Sequence, residues 1–284
     1  MLDPRASEAI ASALGAPARE VRPLGGGCVG EVYRAEVGAE RIVIKIDRSR
    51  TPRLDVEGRM LRYLAERTRL PVPGVLVSQP DLLVMQWIES SRADAGADRH
   101  GAELVAGLHG ISAARFGLEF DTLIGGLHQP NAPEASWPTF FAERRLREMA
   151  RQGREAGRLP ERTSRRIEEA ARRTAHWLGH EPRPSLIHGD LWGGNVLAAP
   201  GRICGLIDPA IYYADAEVEL AFISLFGGFG PAFWERYHEL RPIDPAFFKL
   251  RRDVYNLYPL LVHVRLFGGG YLGQLEGLLS RLGV

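Results

Sequence analysis

The sequence has few cysteines, no long apolar runs and almost no net charge. Only two cysteines, Cys28 and Cys204, occur in 284 residues, too few and too far apart for a disulfide framework or a zinc-binding set. The apolar runs are too short to span a bilayer, and the first residues lack the basic start and apolar core of a secretory signal. We therefore expect a cytoplasmic protein that does not bind a membrane.

The charge balance gives no electrostatic reason for binding nucleic acid. Lysine and arginine number 36 against 35 aspartate and glutamate residues, for a formal charge of +1. Residues 144–173 are dense in arginine and glutamate, but the opposite charges alternate at helical spacing, which predicts a solvated pair of helices. The expected partner is a substrate alone, and the expected state is a monomer.

Periodicity predicts an α+β protein with two lobes. Residues 21–47 predict three antiparallel strands, 53–68 a helix, and the stretches "VPGVLVS" and "DLLVMQWIES" two further strands. Helices are predicted beyond them at 97–114, 136–151, 161–180, 215–226, 231–240 and 246–264, with one strand-rich interruption at 186–208. We expect a small lobe of antiparallel sheet with one main helix, residues 1–86, and a larger, mostly helical lobe, residues 87–284.

The stretch "IHGDLWGGNVL", residues 187–197, has the spacing of a kinase catalytic loop. Asp190 and Asn195 form the pattern D-x-x-x-x-N, in which the aspartate accepts the proton of the attacking hydroxyl and the asparagine binds Mg²⁺. Asp208 ends an apolar strand thirteen residues later, where the second Mg²⁺ ligand belongs. The alternative is a plain turn in which these residues bond their own backbone. His188 is interpreted as a structural residue that ties the loop to the core.

A glycine-rich loop near the N-terminus predicts a nucleotide site. The loop has the glycine spacing G-x-G-x-x-G, which Rossmann domains share. In a Rossmann domain a helix must follow the last glycine, whereas here "EVYRAEV" continues as a strand. The context therefore favours the kinase loop, whose bare backbone covers the phosphates of ATP. The pattern G-x-G-x-x-G-x-V is formed by Gly25, Gly27, Gly30 and Val32.

Lysine is almost absent from the chain, which makes each one informative. Only Lys45 and Lys249 occur among the 36 cationic residues, and a chain that prefers arginine keeps lysine where a compact point charge is needed. Lys45 ends the apolar strand "IVIK", at the place of the kinase lysine that pairs with the α- and β-phosphates. A buried ammonium needs an anion. We expect Glu57 to supply it, with Asp55 as the competing candidate.

The acceptor is expected to be small. Few residues separate Asp208 from the next predicted helix and no A-P-E motif follows, so no segment is available to hold a peptide. Trp192 either offers an aromatic face to a sugar or packs on the C-terminal helices. Asp215, Glu217 and Glu219 either attract an amine on the substrate or stabilise a helix N-terminus. Cys28, in the glycine loop, is a candidate for oxidation.

The chain resembles the fructosamine kinases, or ketosamine 3-kinases, over most of its length. The segments "HGDLWGGN", "IDPAIYYADAEVELA", "SLFGGF", "LYPLLVH" and "DTLIGGLHQPN" carry the resemblance, although Gly193 stands where serine is usual and Ala214 and Ala216 alter the second segment. The resemblance implies the bilobal protein-kinase-like fold shared with aminoglycoside and choline phosphotransferases. It also implies ATP- and Mg²⁺-dependent phosphorylation of the 3-hydroxyl of a ketosamine, free or on a protein lysine.

Two alternatives remain at this point. One is an aminoglycoside-type, choline-type or other sugar phosphotransferase, and the other is a nucleotide-binding scaffold that has lost catalysis. Loss of catalysis usually removes the base or a metal ligand, and all three of Asp190, Asn195 and Asp208 are present. The sequence therefore favours an active enzyme.

Overall fold

The N-terminal part of the chain forms one antiparallel sheet. A computed structural model describes residues 2–25 and 30–284. The opening helix is α1 (Pro4–Leu14), and the strands are β1 (Arg19–Pro23), β2 (Glu31–Val37), β3 (Glu40–Ile46), β4 (Val75–Ser78) and β5 (Leu82–Gln86). They are hydrogen-bonded in the order β1-β2-β3-β5-β4, with every neighbouring pair antiparallel. The five predicted strands are confirmed.

Helix α2 (Leu54–Arg67) lies between β3 and β4 in the chain and contacts both lobes. Leu54 and Leu61 pack with residues of the sheet. Met60 and Tyr63 instead belong to the core of the C-terminal lobe. Apolar residues on two faces thus fix this helix between the lobes, and with it any side chain that it points into the space between them.

The rest of the chain is mostly helical. The helices are α3 (Ala95–His109), α4 (Trp137–Phe140), α5 (Glu148–Glu155), α6 (Glu161–Trp177), α7 (Glu217–Phe226), α8 (Pro231–Leu240), α9 (Arg252–Phe267) and α10 (Gly270–Arg281). A π-helical segment, Phe141–Arg147, joins α4 to α5, and another, Phe247–Arg251, leads into α9. Their apolar faces share one core with α2. The predicted bilobal α+β fold is confirmed.

Short strands in the C-terminal lobe hold the segments that matter for chemistry. They are β6 (Thr122–Ile124), β7 (Leu127–Gln129), β8 (Ser185–Ile187), β9 (Val196–Ala199), β10 (Arg202–Leu206) and β11 (Tyr212–Ala214). β6 pairs with β7, β8 with β11 and β9 with β10, all antiparallel. The loop between β8 and β9 contains residues 188–195, and residues 207–211 connect β10 to β11.

The β6–β7 hairpin was not predicted from the sequence. Strands of three residues are too short to show alternation. A local signal was nevertheless present, because Gly125 and Gly126 both have positive φ, +53° and +78°, as a two-residue hairpin turn requires. A Gly-Gly pair between apolar residues is therefore the cue that predicts this hairpin.

Several helix boundaries also differ from the prediction. The helices expected to end at 114 and 180 end at His109 and Trp177, the helix expected from residue 215 begins at Glu217, and the one expected to end at 264 continues to Phe267. Helix α10 was not predicted, because its glycines weaken the helical signal, and packing of Leu275, Leu278 and Leu279 in the core stabilises it instead. Among the described residues, we find no helix with the length and apolarity that a membrane crossing requires.

Candidate active site

A cleft of about 920 Å³ opens between the sheet and the helical lobe. One part of its lining is apolar and comes from both lobes: Leu24, Val32, Val43, Met85, Ile88, Leu197 and Ile207. Another part is charged and includes Lys45, Glu57, Asp190 and Asp208. An apolar slot next to a group of convergent charges is the arrangement expected for a nucleotide, whose base is flat and whose phosphates are anionic.

Lys45 lies at the centre of the charged part. Its Nζ donates to Glu57 Oε1 at 2.7 Å and to Asp208 Oδ1 at 2.5 Å. Burial disfavours the ammonium, but the two carboxylates outweigh this effect and raise the pKa of Lys45 above its usual value. Asp55 is exposed, so the structure selects Glu57 as the partner. Lys45 thereby joins the sheet, α2 and the C-terminal lobe at one point.

The end of the glycine loop lies against β3. Gly25 and Gly30 line the cleft, and Gly30 has φ +72°. A Cβ at Gly30 would lie 2.3 Å from the carbonyl oxygen of Ile46, so both the backbone conformation and the contact require glycine. Gly27 and Cys28, the other predicted residues of this loop, lie outside the described residues.

The catalytic-loop residues are hydrogen-bonded to each other. Asn195 Nδ2 donates to the backbone oxygen of Asp190 at 2.8 Å and to Asp190 Oδ2 at 3.1 Å. Burial and the nearby charge of Asp208 raise the pKa of Asp190 to about 7. A pKa near neutral pH is the property expected of a carboxyl group that acts as a general base.

Asn195 and Asp208 offer oxygen atoms that suit a hard cation. Because Asn195 Nδ2 donates to Asp190, Asn195 Oδ1 is directed elsewhere. This oxygen accepts no hydrogen bond from the described residues. Lys45 occupies only Oδ1 of Asp208, which leaves the other carboxylate oxygen. One amide oxygen and one carboxylate oxygen, both on the cleft lining, are ligands that Mg²⁺ accepts alongside water and phosphate.

The backbone of Asp208 is held in a strained conformation. Its φ is +54°, in the left-handed region that residues other than glycine rarely adopt, although aspartate and asparagine adopt it more often than most. Ile207 N donates to Asn195 O at 3.1 Å, and Ala210 N donates to His188 O at 2.7 Å. Bonds on both sides therefore tie the Asp208 turn to the catalytic loop. Strain of this kind persists only where the surroundings over-determine the conformation.

A buried acid, Glu219, supports the loop that contains Asp190, a role that differs from both roles expected of it from the sequence. Glu219 Oε1 accepts a hydrogen bond from Gly189 N at 2.8 Å, and Nε2 of His109 lies 3.0 Å from Glu219 Oε2. Burial opposes ionisation of Glu219, but the bonds from His109 and Gly189 outweigh it and lower its pKa. Nδ1 of His109 in turn contacts the Tyr237 hydroxyl at 2.7 Å. Three helices, α3, α7 and α8, thus position the residue before Asp190.

Glu219→Gln should lower kcat by about ten- to a hundredfold, because small displacements of a catalytic group have effects of this size. Glutamine keeps the shape of the side chain, but its neutral oxygen accepts a weaker hydrogen bond from Gly189 N. The matched control is Glu217→Gln on the same helix, since Glu217 is paired with Arg251 at 2.6 and 2.7 Å. Thermal unfolding and kcat are measured for both. If the two variants lose kcat and stability to the same extent, Glu219 has no positioning role.

The two candidate substrate residues have different surroundings. Trp192 is 43% exposed and lines the cleft two residues after Asp190, so it is available to an acceptor. Asp215 is buried, outside the lining, and bonded to His180 Nε2 at 2.7 Å, to the Tyr255 hydroxyl and to Glu217 N. Its contacts match the helix N-terminus interpretation, and we assign it no contact with substrate.

His188 has the structural position that the sequence suggested. The side chain is fully buried, burial lowers its pKa, and its carbonyl accepts the Ala210 bond described above.

The segment between Asp208 and α7 is short and runs as β11 along β8, so it forms part of the core rather than a surface for a peptide.

Comparison with known proteins identifies a set of relatives along the whole chain. The family model described as Fructosamine kinase matches residues 2–283. A probable ketoamine kinase of Synechocystis is 33% identical over 285 residues, covering 97% of this chain and 95% of the relative. The probable ketoamine kinase YniA of Escherichia coli is also 33% identical, with 97% of both chains covered.

Solved structures agree with the bilobal fold. A provisionally named fructosamine-3-kinase from Thermobifida fusca superposes with a TM-score of 0.86 at 29% identity, over 96% of both chains. The aminoglycoside phosphotransferase APH(4)-Ia, in a ternary complex with AMP-PNP and hygromycin B, superposes with a TM-score of 0.66 at 17% identity, over 98% of both chains. The second likeness concerns the fold alone.

Proposed function

The chain belongs to the fructosamine kinase family, and from this we propose that it transfers the γ-phosphoryl group of ATP to the 3-hydroxyl of a ketosamine. The observation that supports the proposal most directly is the geometry around Asp190. This carboxylate is bonded to Asn195 and shares a cleft with Lys45 and Asp208, which are bonded to each other. Kinase chemistry requires these groups together and in these roles.

Each side chain has one task in the proposed reaction. Asp190 accepts the proton of the acceptor hydroxyl and orients that oxygen towards the phosphorus. Lys45 binds the α- and β-phosphates while Glu57 keeps it in place. Asn195 and Asp208 would hold Mg²⁺, which when bound neutralises charge on the phosphates. The apolar slot between Val32, Ile207 and their neighbours takes the base and keeps water from it.

The acceptor side of the cleft favours a small sugar-like group. Trp192 presents an exposed ring next to Asp190, and aromatic faces bind the apolar side of a polyol. The absence of a peptide-holding segment between Asp208 and α7, in the part of the chain that the structure describes, leaves room for the end of a side chain rather than for a polypeptide. A ketosamine on an exposed lysine reaches such a site by its sugar alone.

The test is turnover across a panel of acceptors. We expect fructosyl-lysine or ribulosyl-lysine to be phosphorylated with a higher kcat/KM than kanamycin, choline or free fructose, with ATP consumption and phosphorus NMR of the product as the measurements. A proton–phosphorus correlation spectrum of the product identifies the phosphorylated position. Efficient phosphorylation of an aminoglycoside with no turnover of either ketosamine would refute the substrate and keep the kinase. Nucleotide binding without turnover of any acceptor would favour the scaffold.

A further inference from the structure

The β6–β7 hairpin is held by a network of buried polar side chains that the proposed reaction does not use. Thr122 Oγ1 accepts hydrogen bonds from Gln129 Nε2 and Asn131 Nδ2, each at 2.8 Å. Arg145 Nη2 donates to Asn131 Oδ1 at 2.7 Å. The buried members are Thr122, Gln129, Asn131, Arg145 and Tyr258. Buried polar groups in such numbers are costly unless satisfied, so the network fixes the hairpin firmly.

Gln129 connects this network to the active site. Its Nε2 also donates to the backbone oxygen of Ala210 at 3.0 Å. The hydroxyl of Tyr258 donates to Gln129 Oε1 at 2.7 Å, which fixes the orientation of the amide and directs the nitrogen to Ala210. One side chain therefore joins the hairpin to the residue two positions after Asp208.

Ala210 is where three functional segments meet. Its N–H donates to the carbonyl of His188, two residues before Asp190. A Cβ placed on Gly189 would lie 2.2 Å from the carbonyl oxygen of Ala210, and Gly189 has φ +85°. The catalytic loop thus packs directly on the Ala210 peptide. A shift of that peptide would displace Asp208 on one side and Gly189 on the other.

We propose that Gln129 is a positioning residue for Asp208, acting through the Ala210 carbonyl. Asp208 has positive φ, and the bonds at Ile207 N and Ala210 N act at the backbone of its own turn. The amide of Gln129 is a side-chain restraint on that turn from a separate element, the hairpin. The inference rests on the proposed function for the identity of the metal and the nucleotide.

Loss of the amide has a specific consequence. Gln129→Leu leaves the Ala210 carbonyl without that donor and the Tyr258 hydroxyl without its acceptor, so the turn relaxes from its strained conformation. The Asp208 carboxylate is then less well placed for Mg²⁺, although Lys45 still binds it. Supporting residues around a metal ligand typically change metal affinity by about ten- to a hundredfold.

The experiment measures ADP binding by calorimetry, with Mg²⁺ and with EDTA, for the full chain. We expect Gln129→Leu to weaken ADP binding in Mg²⁺ by about tenfold or more and to leave binding in EDTA unchanged. Tyr258→Phe, a milder change, should shift binding in the same direction by less. The matched control is Gln152→Leu, because Gln152 Nε2 binds the backbone oxygen of His128 in the same hairpin, without contacting Ala210.

The outcomes separate this inference from the proposed function. A loss confined to Mg²⁺ in Gln129→Leu and Tyr258→Phe, and absent in Gln152→Leu, supports the positioning role. Equal weakening of ADP binding in Mg²⁺ and in EDTA, or no weakening in either variant, overturns the positioning role. A wild-type protein whose ADP binding does not depend on Mg²⁺ overturns it as well. A wild type that binds ADP in a Mg²⁺-dependent way and phosphorylates no ketosamine contradicts the proposed function alone. If Gln129→Leu does not fold, the Tyr258→Phe result decides.

Discussion

Asp190→Asn should lower turnover by about two to four orders of magnitude, the range associated with a positioned general base, while ATP affinity stays close to that of the wild type. The amide has the shape of the carboxylate but cannot accept the proton of the acceptor hydroxyl. It can still accept the bond from Asn195, so the loop is kept. Steady-state kcat with fructosyl-lysine and ATP affinity by calorimetry measure the two quantities separately.

The control for Asp190→Asn is a cleft aspartate of the other lobe. Asp47 lines the cleft, and its Oδ1 accepts the backbone N–H of Ser49 at 2.8 Å, so Asp47→Asn changes a cleft charge without removing the proposed base. We expect it to have a small effect on kcat. An Asp190→Asn protein that turns over at a near-normal rate would remove the assignment of Asp190 as the base.

Asp208→Asn should reduce both turnover and Mg²⁺-dependent nucleotide binding. Asparagine tolerates positive φ, so this variant keeps the backbone of the turn, which alanine would strain. It removes the negative charge that binds Lys45 and would hold the metal. We expect turnover to fall by about two to three orders of magnitude, as when one preorganised electrostatic group is lost.

The Asp208 prediction is measured as ADP affinity over a Mg²⁺ titration, with binding in EDTA as the internal reference. Affinity in EDTA should change little, whereas the gain on adding Mg²⁺ should shrink or disappear. A variant whose Mg²⁺ dependence matches the wild type would show that Asp208 is not a metal ligand. The contrast with Asp190→Asn, which should keep that dependence, distinguishes the metal role from the base role.

The sequence by itself determined the parts of the site that depend on local spacing. Asp190 and Asn195 lie five residues apart in one loop, so their hydrogen bond follows from the turn that joins them. The five strands of the N-terminal sheet were predicted because each is long enough to show its pattern. The importance of Lys45 came from its rarity and from the apolar strand that carries it.

Only the tertiary structure decided which distant side chains complete the site. Glu57 rather than Asp55 pairs with Lys45 because the packing of α2 on both lobes sets which face of the helix is turned to the sheet. Asp215, which the sequence left open, is buried against His180 and Tyr255, which come from distant parts of the chain. Packing of the lobes brings residues together that are distant in the sequence, and a local sequence pattern contains no information on such contacts.

The supports of the catalytic segments have the same origin. Glu219 is 30 residues away from Gly189, and Gln129 is 81 residues away from Ala210. No spacing rule links a helix acid to Gly189 N or a hairpin amide to the Ala210 carbonyl. What selects them is the need to satisfy buried backbone groups, which arises only once the chain has packed. The sequence thus indicated the proposed reacting groups, and the packed fold determined what keeps them in place.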